Sequence, residues 1–396
     1  MHLLVITPRF PYPVIGGDRV RIYHVCKALS KQFDLTLLSI CQSSAEMCAS
    51  IPEDGIFKQV ERFYLPKWRS WLNCLLALFS STPLQVVYYK STLFKRRVDE
   101  LLCSHSGILA HMIRTGDFID HKKAPCFLEM TDAISLNYDR IRMRGGFSFD
   151  FRVVVFKLES LRLKAYEQRI VNDFDASFIV SEVDRQYLFG PHPDMLSRVV
   201  VCPNGVDLEK FPFCFSPEGR DIIFIGNMTS LQNLDAARYM AVEILPLVRS
   251  RCPGSRLRLV GRIQPKKAQE LSRIPGVVVT GEVPDVAMAV KGGAVGVCPL
   301  RLGAGIQNKI LEYMALGLPT ITTSMGLEGL SAEPDRDLIV ADDSEVFANA
   351  IATLILDRNE AEMLAVNGRH YVQSSHSWEV LLEPLVSKIA KKVIGV

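Results

Sequence analysis

The sequence has little that would mark a secreted, zinc-binding or nucleic-acid-binding protein. The formal net charge is only +3 over 396 residues, which is too small to favour nucleic acid as a partner. The ten cysteines are scattered, without a Cys-x-x-Cys pair. Because paired cysteines are typical of structural zinc sites and secreted disulfide frameworks, we expect free thiols in a reducing compartment, no disulfide and no metal site.

Long apolar runs are also missing. The run Trp71–Phe79 is far shorter than the roughly 20 residues that span a bilayer. The N-terminus, MHLLVITPRF, has only a few apolar residues before Pro8 and Arg9, which predicts a first strand and not a signal peptide. We therefore expect a cytoplasmic protein, either soluble or peripheral on the inner face of the cytoplasmic membrane.

The length and the patterning predict two α/β domains. A chain of 396 residues, 48% hydrophobic, is too long for one ordinary core. Short apolar strands alternate with helical stretches in both halves, which indicates doubly wound parallel sheets facing each other across a cleft. The predicted bounds are 1–207 for an N-terminal acceptor-side domain, 208–220 for a linker, 221–376 for a C-terminal nucleotide-sugar domain, and 377–396 for a helix that crosses back to the N-terminal domain.

The strands of each half are read from short apolar runs. In the first half we predict Leu3–Thr7, Leu35–Ile40, Ile108–His111, Cys126–Met130, Ala176–Ser181 and Val199–Val201. In the second half we predict Asp221–Gly226, Leu257–Val260, Val277–Thr280, Ala294–Pro299, Pro319–Thr323 and Leu338–Val340.

The stretch from Gly293 to Ser324 has the order of a βαβ unit, with a glycine loop that leads into a helix over 306–316. Gly303 and Gly305 let the backbone approach a ligand closely, and the free amides of a helix N-terminus favour a phosphate. Lys309 and Glu312 add a cation and an acceptor for ribose hydroxyls. Alternatively, these two residues are an ordinary i,i+3 surface pair and the glycines form only a tight turn.

Polar residues follow several other strand ends, where open α/β sheets place ligands. Arg262 and Arg301 are candidate diphosphate clamps. Gly226, Asn227, Glu282 and Val283 also follow strand ends. We expect Glu282 and Val283 to contact a nucleotide base.

Two features of the first half carry open alternatives. Gly16 and Gly17 end a long loop after the first strand, which is either a mobile loop over a ligand or a simple turn. His111 closes a strand, where a histidine can bind a substrate hydroxyl or phosphate, although a structural role is more common.

Basic residues outnumber acidic ones between Tyr138 and Arg169, and Lys67, Trp68, Arg69 and Trp71 precede the apolar run. The composition suits peripheral contact with an anionic membrane, and a solvated helix face is the alternative.

Several segments together resemble a known group of enzymes. They are TPRFPYPVIGGDRVR near the N-terminus, PNGVD at 203–207, FIGNMTSLQNLDAARYM at 224–240, VTGEVPDV at 279–286 and CPLRLGAGIQNKILEYMALGLPTITT at 298–323. They span most of the chain. The chain resembles GT-B glycosyltransferases of glycosyltransferase family 4, especially sugar transferases of bacterial exopolysaccharide systems.

The resemblance implies retaining, metal-independent transfer of a sugar from a nucleotide-diphosphate sugar, the donor substrate, to a glycan or polyprenyl-linked acceptor, with no cofactor. Glu312 matches the second glutamate of the family's paired-glutamate motif and Gly17 the loop that closes over the phosphates. His111 matches a histidine near the transferred sugar. The candidate catalytic residues are His111, Arg301 and Lys309; the candidate donor-binding residues are Gly16, Gly17, Gly226, Asn227, Arg262, Glu282, Val283, Gly305, Ile306, Gln307, Asn308 and Glu312.

Two departures from the family pattern keep other functions open. Ala304 stands where the first glutamate of the pair is usual, and Asn227, Gln232 and Asn233 stand where the family has an arginine and a lysine. Arg301 and Lys309 are candidates to replace that charge. The alternatives are a nucleotide-sugar epimerase of the same architecture and an inactive glycan-binding or scaffold protein of a polysaccharide assembly complex.

Overall fold

The computed structural model describes residues 1–121, 123–144, 151–217, 219–303 and 305–395, with only the backbone described for 141–144 and 151–158. The chain forms two compact units. Unit 1 comprises Met1–Pro203 and Leu381–Val396, and unit 2 comprises Asn204–Val380. Position 304, where the family glutamate is replaced, and the side chains of Arg142, Arg144, Arg152 and Lys157 lie outside the described residues.

Unit 1 alternates strands and helices along the chain. Its strands are β1 (His2–Thr7), β2 (Asp34–Cys41), β3 (Phe57–Tyr64), β4 (Gly107–His111), β5 (Cys126–Thr131), β6 (Ala176–Ile179) and β7 (Val199–Val201). Its helices are α1 (Gly17–Leu29), α2 (Ser44–Cys48), α3 (Lys67–Leu76), α4 (Leu84–Val87), α5 (Thr92–Leu102), α6 (Ile134–Arg144), α7 (Phe151–Ile170), α8 (Glu182–Phe189) and α9 (Pro193–Leu196).

The strands of unit 1 that the structure describes form one parallel sheet in the order β3-β2-β1-β4-β5-β6-β7. The edge strand β3 was not predicted. Its sequence, FKQVERFY, mixes polar and apolar residues without an apolar run, and none of its residues is fully buried. An edge strand whose faces are only partly covered does not need such a run.

Unit 2 repeats the alternation. Its strands are β8 (Asp221–Ile225), β9 (Arg256–Val260), β10 (Val277–Gly281), β11 (Val295–Cys298), β12 (Thr320–Thr322) and β13 (Ile339–Val340). Its helices are α10 (Leu231–Tyr239), α11 (Leu245–Arg251), α12 (Pro265–Ser272), α13 (Val286–Val290), α14 (Asn308–Leu316), α15 (Ser324–Leu327), α16 (Ser344–Leu356) and α17 (Arg358–Ser375), and a π-helical turn, Met240–Ile244, joins α10 to α11.

The described strands of unit 2 form a second parallel sheet in the order β10-β9-β8-β11-β12-β13. From β8 the strands β9 and β10 follow toward one edge of the sheet, and from β11 the strands β12 and β13 follow toward the other edge. The two halves of the sheet therefore diverge between β8 and β11, and such a point is where doubly wound sheets bind ligands, beyond the carboxyl ends of the strands. The predicted fold class of two doubly wound Rossmann-like domains is confirmed.

The segment 208–220 belongs to unit 2. The amide of Cys214 donates to the carbonyl of Leu316 at 3.0 Å, and Arg369 donates to the carbonyl of Phe211 at 3.0 Å. A Cβ on Gly317, at the end of α14, would lie 2.8 Å from the Phe213 ring. These contacts fasten the segment to the end of α14 and to α17.

The last helix, α18 (Trp378–Ile394), begins in unit 2 and ends in unit 1. Its residues Leu382, Leu385 and Ile389 are fully buried, and Lys392 forms a 3.1 Å ion pair with Asp175. The apolar stripe of the helix thus completes the core of unit 1.

Candidate active site

Helix α14 is fixed over the divergence point of the unit 2 sheet by one buried tyrosine. The Tyr313 hydroxyl accepts from the amide of Ile225 at 2.7 Å and donates to the carbonyl of Val297 at 3.2 Å. The first contact is to β8 and the second to β11. Gly296 makes room for the ring, because a Cβ there would lie 2.6 Å from it. The N-terminus of α14 is therefore held where a ligand of this sheet would bind.

The loop before α14 is the predicted glycine loop. Gly303 and Gly305 have positive φ angles of 149° and 70°, which side-chain-bearing residues rarely adopt. The helix begins at Asn308 with Gln307 as its N-cap, two residues later than the predicted start at Ile306. The amides of Asn308 and Lys309 open the helix and have no acceptor within it by position, which suits an anion.

Lys309 is a buried cation whose partners are neutral. Its side chain is almost fully buried, with 8% of the residue exposed. The ammonium group donates to Asn233 Oδ1 at 2.8 Å and to Gln307 Oε1 at 3.4 Å. Among the described residues no carboxylate lies within 4.0 Å of it, which argues against the alternative of a surface pair with Glu312. A buried charge without a counter-charge is costly unless an anion joins it.

Glu312 lies one turn further along α14 and is partly buried. Burial raises the pKa of its carboxyl to about 7, and Lys210 and Lys309 offset only part of that effect. No described residue donates a hydrogen bond to this carboxyl group. A carboxylate in such a setting has unused acceptor capacity for hydroxyl groups.

The PNGVD motif supports the start of α14. Asn204 donates from Nδ2 to Asn308 Oδ1 at 2.9 Å. The Asn204 carbonyl is in turn 2.9 Å from Nδ1 of His376, and the other ring nitrogen of His376 is 2.8 Å from the Tyr371 hydroxyl. The motif therefore contributes a buried polar network that orients Asn308, a role that the sequence did not indicate.

Gly226 and Asn227 form a tight turn after β8. The carbonyl of Asn227 accepts from Asn233 Nδ2 at 3.2 Å, so the turn orients the amide that receives Lys309. Gly261, after β9, packs directly on this turn: its φ is 129° and a Cβ there would lie 2.2 Å from the carbonyl oxygen of Gly226. Only glycine fits at position 261.

The other predicted cations of unit 2 are already paired. Arg262 makes a bidentate pair with Glu282 at 2.9 and 3.1 Å, and both side chains are about half exposed. Its pKa is raised by that pairing. Val283, next to Glu282, is partly buried against the core of unit 2. The proposed contact of Glu282 and Val283 with a base stays a prediction.

Arg301 is held by contacts with α10 and the π-helical turn, and 27% of its side chain is exposed. Its guanidinium group contacts Asp235 at 2.8 and 3.2 Å and Glu243 at 3.7 Å. It also lies 4.1 Å from the centre of the Tyr239 ring. A diphosphate would have to compete with two carboxylates for this cation.

In unit 1, His111 lies in a fully buried charged cluster at the carboxyl ends of β4 and β5. Its Nδ1 is 2.6 Å from Glu129 Oε2, and Arg21 Nε donates to Glu129 Oε1 at 2.7 Å. Burial alone would raise the pKa of Glu129, but Arg21 and His111 together lower it to about 2. Met112, the residue after His111, and Thr131, two residues after Glu129, both have positive φ angles, 63° and 66°. Strained backbone of this kind is frequent at functional sites.

The glycine loop of unit 1 leads directly into a helix. Gly16 is the N-cap of α1, with φ 99°, and Gly17 is the first helical residue. Because α1 starts two residues before the predicted Arg19, the amides of its first turn lie at the end of the loop 8–16. The proposed closure of this loop over phosphates stays a prediction.

Acidic side chains are not grouped as a metal site in the part of the chain that the structure describes, where no set of three or more His, Cys, Asp or Glu residues is arranged to hold an ion. Two Asp-x-Asp triplets occur, at 173–175 and 335–337. The second aspartate of each triplet forms an ion pair within the protein, Asp175 with Lys392 and Asp337 with Arg336.

Comparison with known proteins supports the same region. Residues 219–357 match the family model described as glycosyl transferases group 1, which covers most of unit 2. Over 391 residues the chain is 20% identical to a 44.6 kDa protein in the cps region of Klebsiella pneumoniae, and the match covers 94% of this chain and 96% of that one.

Solved structures define the fold. The sucrose-phosphate synthase of Thermosynechococcus elongatus superposes with a TM-score of 0.73 at 15% identity, covering 100% of this chain and 99% of that one. HepE of Anabaena, solved with UDP, has a TM-score of 0.69 at 13% identity over 99% and 100% of the two chains. A TarM variant of S. aureus, solved with UDP, fondaparinux and α-GlcNAc-glycerol, has a TM-score of 0.72 at 10% identity over 98% and 99%. The chain has the GT-B fold of these proteins.

Sequence reasoning missed several residues that shape the two clusters. Glu129 and Arg21 went unnoticed, although a glutamate inside the otherwise apolar strand CFLEMT is a signal in itself. Tyr313 gave no signal, because an ordinary helical tyrosine shows its role only through contacts distant in sequence. Asn233 was noted only as a departure from the family pattern, and its hydrogen bond with Lys309 became visible only in the folded structure.

Proposed function

We propose that the protein is a glycosyltransferase that moves a sugar from a nucleotide-diphosphate sugar to an acceptor during synthesis of a bacterial surface or exopolysaccharide. The observation that carries the proposal is Lys309: a buried cation with neutral partners, at the N-terminus of a helix over the divergence point of a Rossmann-like sheet. The group 1 family match over 219–357 and the cps-region relative support the reaction class and the biological setting.

The donor diphosphate would bind at the start of α14. The amides of Asn308 and Lys309 and the Lys309 ammonium group would offset the charge that builds up as the bond between sugar and phosphate breaks. The backbone from Gly305 to Gln307 would pass close to the diphosphate or the sugar. Preorganised donors of this kind stabilise a departing phosphate without needing a metal ion, and we propose that none is required.

Glu312 would accept hydrogen bonds from the ribose hydroxyls. Its carboxyl group has no donor among the described residues, and ribose offers two adjacent donors. Arg262 and Arg301 are committed to Glu282 and to Asp235 with Glu243, so we assign them to positioning the loops after β9 and β11 and give Lys309 the main electrostatic role.

His111 would contact the transferred sugar. Glu129 fixes its Nδ1, which leaves Nε2 as the ring atom for a sugar hydroxyl. We propose retention of anomeric configuration, with attack on the same face assisted by the leaving phosphate, because none of the described residues at the site stands out as a protein nucleophile. The acceptor would be a glycan or a polyprenyl-linked saccharide.

Nucleotide binding tests the proposal first. Thermal unfolding of the wild-type chain, Glu312→Ala and the control Glu362→Ala would be followed with UDP, GDP, dTDP and ADP at millimolar concentration without added metal. UDP would be tested first, because the HepE and TarM structures were solved with UDP. A ligand at about 100 times its dissociation constant stabilises the folded state by about 2.7 kcal/mol.

We expect one nucleotide to stabilise the wild type and the control, and Glu312→Ala to weaken that binding by about 1.5–3 kcal/mol. Stabilisation by none of the four would contradict a donor site and favour a scaffold role. Analysis of products with the matching nucleotide sugar then separates transfer from epimerisation, since an epimerase converts the donor without any acceptor.

A further inference from the structure

Helix α3 of unit 1 carries its apolar stripe on the outside. Trp68, Trp71, Leu72 and Leu75 follow the spacing of one helix face, and with Leu76 they are between 45% and 78% exposed. Ser70 is the helix residue that is buried. In an ordinary surface helix the apolar stripe faces the core, so the amphipathicity of α3 is inverted.

The chain that follows extends the same surface. Leu78 is 44% exposed and Phe79 is 100% exposed. We call the residues 67–79 the apolar ridge. A contiguous exposed surface of large apolar side chains, unlike a single exposed residue, marks a site of interaction.

Polar contacts hold the ridge in this orientation. Ser70 accepts from Gln42 Nε2 at 3.2 Å, Asn73 donates to the carbonyl of Lys90 at 2.9 Å, and the Cys74 thiol donates to the carbonyl of Leu84 at 3.5 Å. The polar side of the helix is thus the side that packs on unit 1. The exposure of the ridge is built into the fold and does not result from loose packing.

A basic cavity opens beside the ridge. It has a volume of about 270 Å³, and its lining includes Lys90, Lys95 and Arg114 together with the hydroxyl groups of Ser91 and Thr92. One acid, Asp117, also lines it and accepts from the Tyr166 hydroxyl at 2.6 Å. Among the described residues, no carboxylate lies within 4.0 Å of the ammonium group of Lys90 or Lys95.

We propose that the apolar ridge and this cavity together dock the protein on an anionic lipid bilayer. The Trp, Leu and Phe side chains would enter the boundary between head groups and acyl chains, and Lys90, Lys95 and Arg114 would take the phosphate of a lipid head group. Amphipathic helices that lie in the membrane interface combine these two features, with tryptophan at the boundary and basic residues beside it.

Charge favours a lipid surface over a protein partner. Lys67 opens the ridge, and Lys90 lies beside it, since the Lys90 carbonyl accepts from Asn73. Cations beside an exposed apolar surface complement an anionic membrane. No helix in the described part of the chain is long and apolar enough to cross a membrane, so the ridge would lie on the bilayer. The inference stands apart from the proposed transferase activity, since vesicle binding requires no donor sugar.

Co-sedimentation of the full chain with vesicles tests the proposal. The vesicles would be phosphatidylcholine alone, or phosphatidylcholine with about one third phosphatidylglycerol, at physiological salt. We expect strong binding to the anionic vesicles only, together with a blue shift of tryptophan fluorescence. Trp68 and Trp71 would carry that shift, because Trp378 is 7% exposed and lies in unit 2.

Two sets of variants separate the parts of the site. Trp68→Ser with Leu75→Ser and Phe79→Ser should lower vesicle binding roughly a hundredfold. Lys90→Gln with Lys95→Gln should lower binding to anionic vesicles by about tenfold or more. Because all of these side chains are exposed, their replacement should leave thermal unfolding unchanged.

The matched controls are Met363→Ser with Val366→Ser, two exposed apolar residues of α17, and Lys266→Gln. We expect both to bind like the wild type. Wild-type binding by the ridge variant, or equal binding of the wild type to both kinds of vesicle, would overturn the proposal. So would self-association in solution that the ridge variant abolishes, without vesicle binding, because the ridge would then be a protein interface.

Discussion

The two buried charged clusters of this chain follow opposite rules. In unit 1, the buried Glu129 carboxylate is hydrogen-bonded to His111 Nδ1 at 2.6 Å and to Arg21 Nε at 2.7 Å. In unit 2, Lys309 and Glu312 lie on the same helix without such partners, one bound to amide oxygens and the other to no donor among the described residues. The unit 1 cluster, which we call complete because its carboxylate is paired with a cation, stabilises the fold through that pair. The unit 2 cluster, which we call incomplete, keeps its electrostatic potential for a ligand.

The largest expected effect concerns the complete cluster. Glu129→Ala should lower the free energy of unfolding by about 3–5 kcal/mol, because it leaves the Arg21 guanidinium group buried without its counter-charge and removes the hydrogen-bond partner of His111 Nδ1. Urea denaturation measures the loss. The matched control is Glu61→Ala, which removes the partly exposed pair with Arg97 and should cost about 1 kcal/mol or less. Equal losses for the two variants would show that the unit 1 cluster is not a stabilising one.

Next comes the incomplete cluster. Lys309→Ala should reduce turnover of the donor sugar roughly a hundredfold or more, which corresponds to about 3 kcal/mol of lost electrostatic stabilisation. The free energy of unfolding should change little or rise, since the variant removes a buried charge that lacks a counter-charge. Steady-state kinetics beside urea denaturation checks both effects, with Lys266→Ala as control. Turnover within threefold of wild type would contradict the role of Lys309.

A smaller effect follows from the pKa of Glu312, which burial raises to about 7. Affinity for a nucleotide-diphosphate sugar should rise as the pH increases from about 6 to 8, because the ionised carboxylate is the better acceptor for ribose hydroxyls. Titration calorimetry across this range measures the trend. The intact sugar nucleotide is the ligand of choice, because its diesterified phosphates keep their charge between these pH values.

The same group gives the opposite trend in stability. Its folded pKa lies above the unfolded value, so its stabilising contribution is complete at low pH and is lost as the pH rises through about 7. Glu312→Gln should therefore flatten both the affinity profile and this part of the stability profile. A variant whose affinity still rises with pH like the wild type would show that another group titrates.

The smallest effect is expected at Arg262. Its pair with Glu282 is exposed, and such pairs contribute about 0–1 kcal/mol to stability. Arg262→Ala should change the free energy of unfolding by less than about 1 kcal/mol and donor affinity by a small factor, as measured by denaturation and calorimetry. A tenfold loss of affinity would instead indicate that Arg262 binds the diphosphate and leaves Glu282 when the donor is bound.

Much of the fold was predictable because its signals are local. The apolar runs of β1, β2 and β8 predicted buried parallel strands to within one or two residues, since both faces of such strands are covered. The start of α14 was predicted two residues early, because the glycine loop continues to the N-cap at Gln307. The edge strand β3 escaped prediction because few of its side chains need to be apolar.

The amino-acid sequence by itself determined the α/β alternation, the glycine loop before α14, and the presence of Lys309 and Glu312 one turn apart. These depend on spacing along the chain, which a sequence displays directly. The tertiary structure decided which cationic side chains are paired with a carboxylate of the protein itself. Arg301 and Arg262 look like Lys309 in a sequence, yet Asp235 and Glu282 neutralise them, whereas among the described residues Lys309 donates hydrogen bonds only to amide oxygens.

The same division applies to the apolar ridge. The sequence contains an amphipathic helix at 67–76, but its period is the same whether the apolar side faces the core or the solvent. The contacts of Ser70, Asn73 and Cys74 with the rest of unit 1 hold the apolar side outward. Orientation depends on partners distant in the chain, and for that physical reason it could be learned only from the folded molecule.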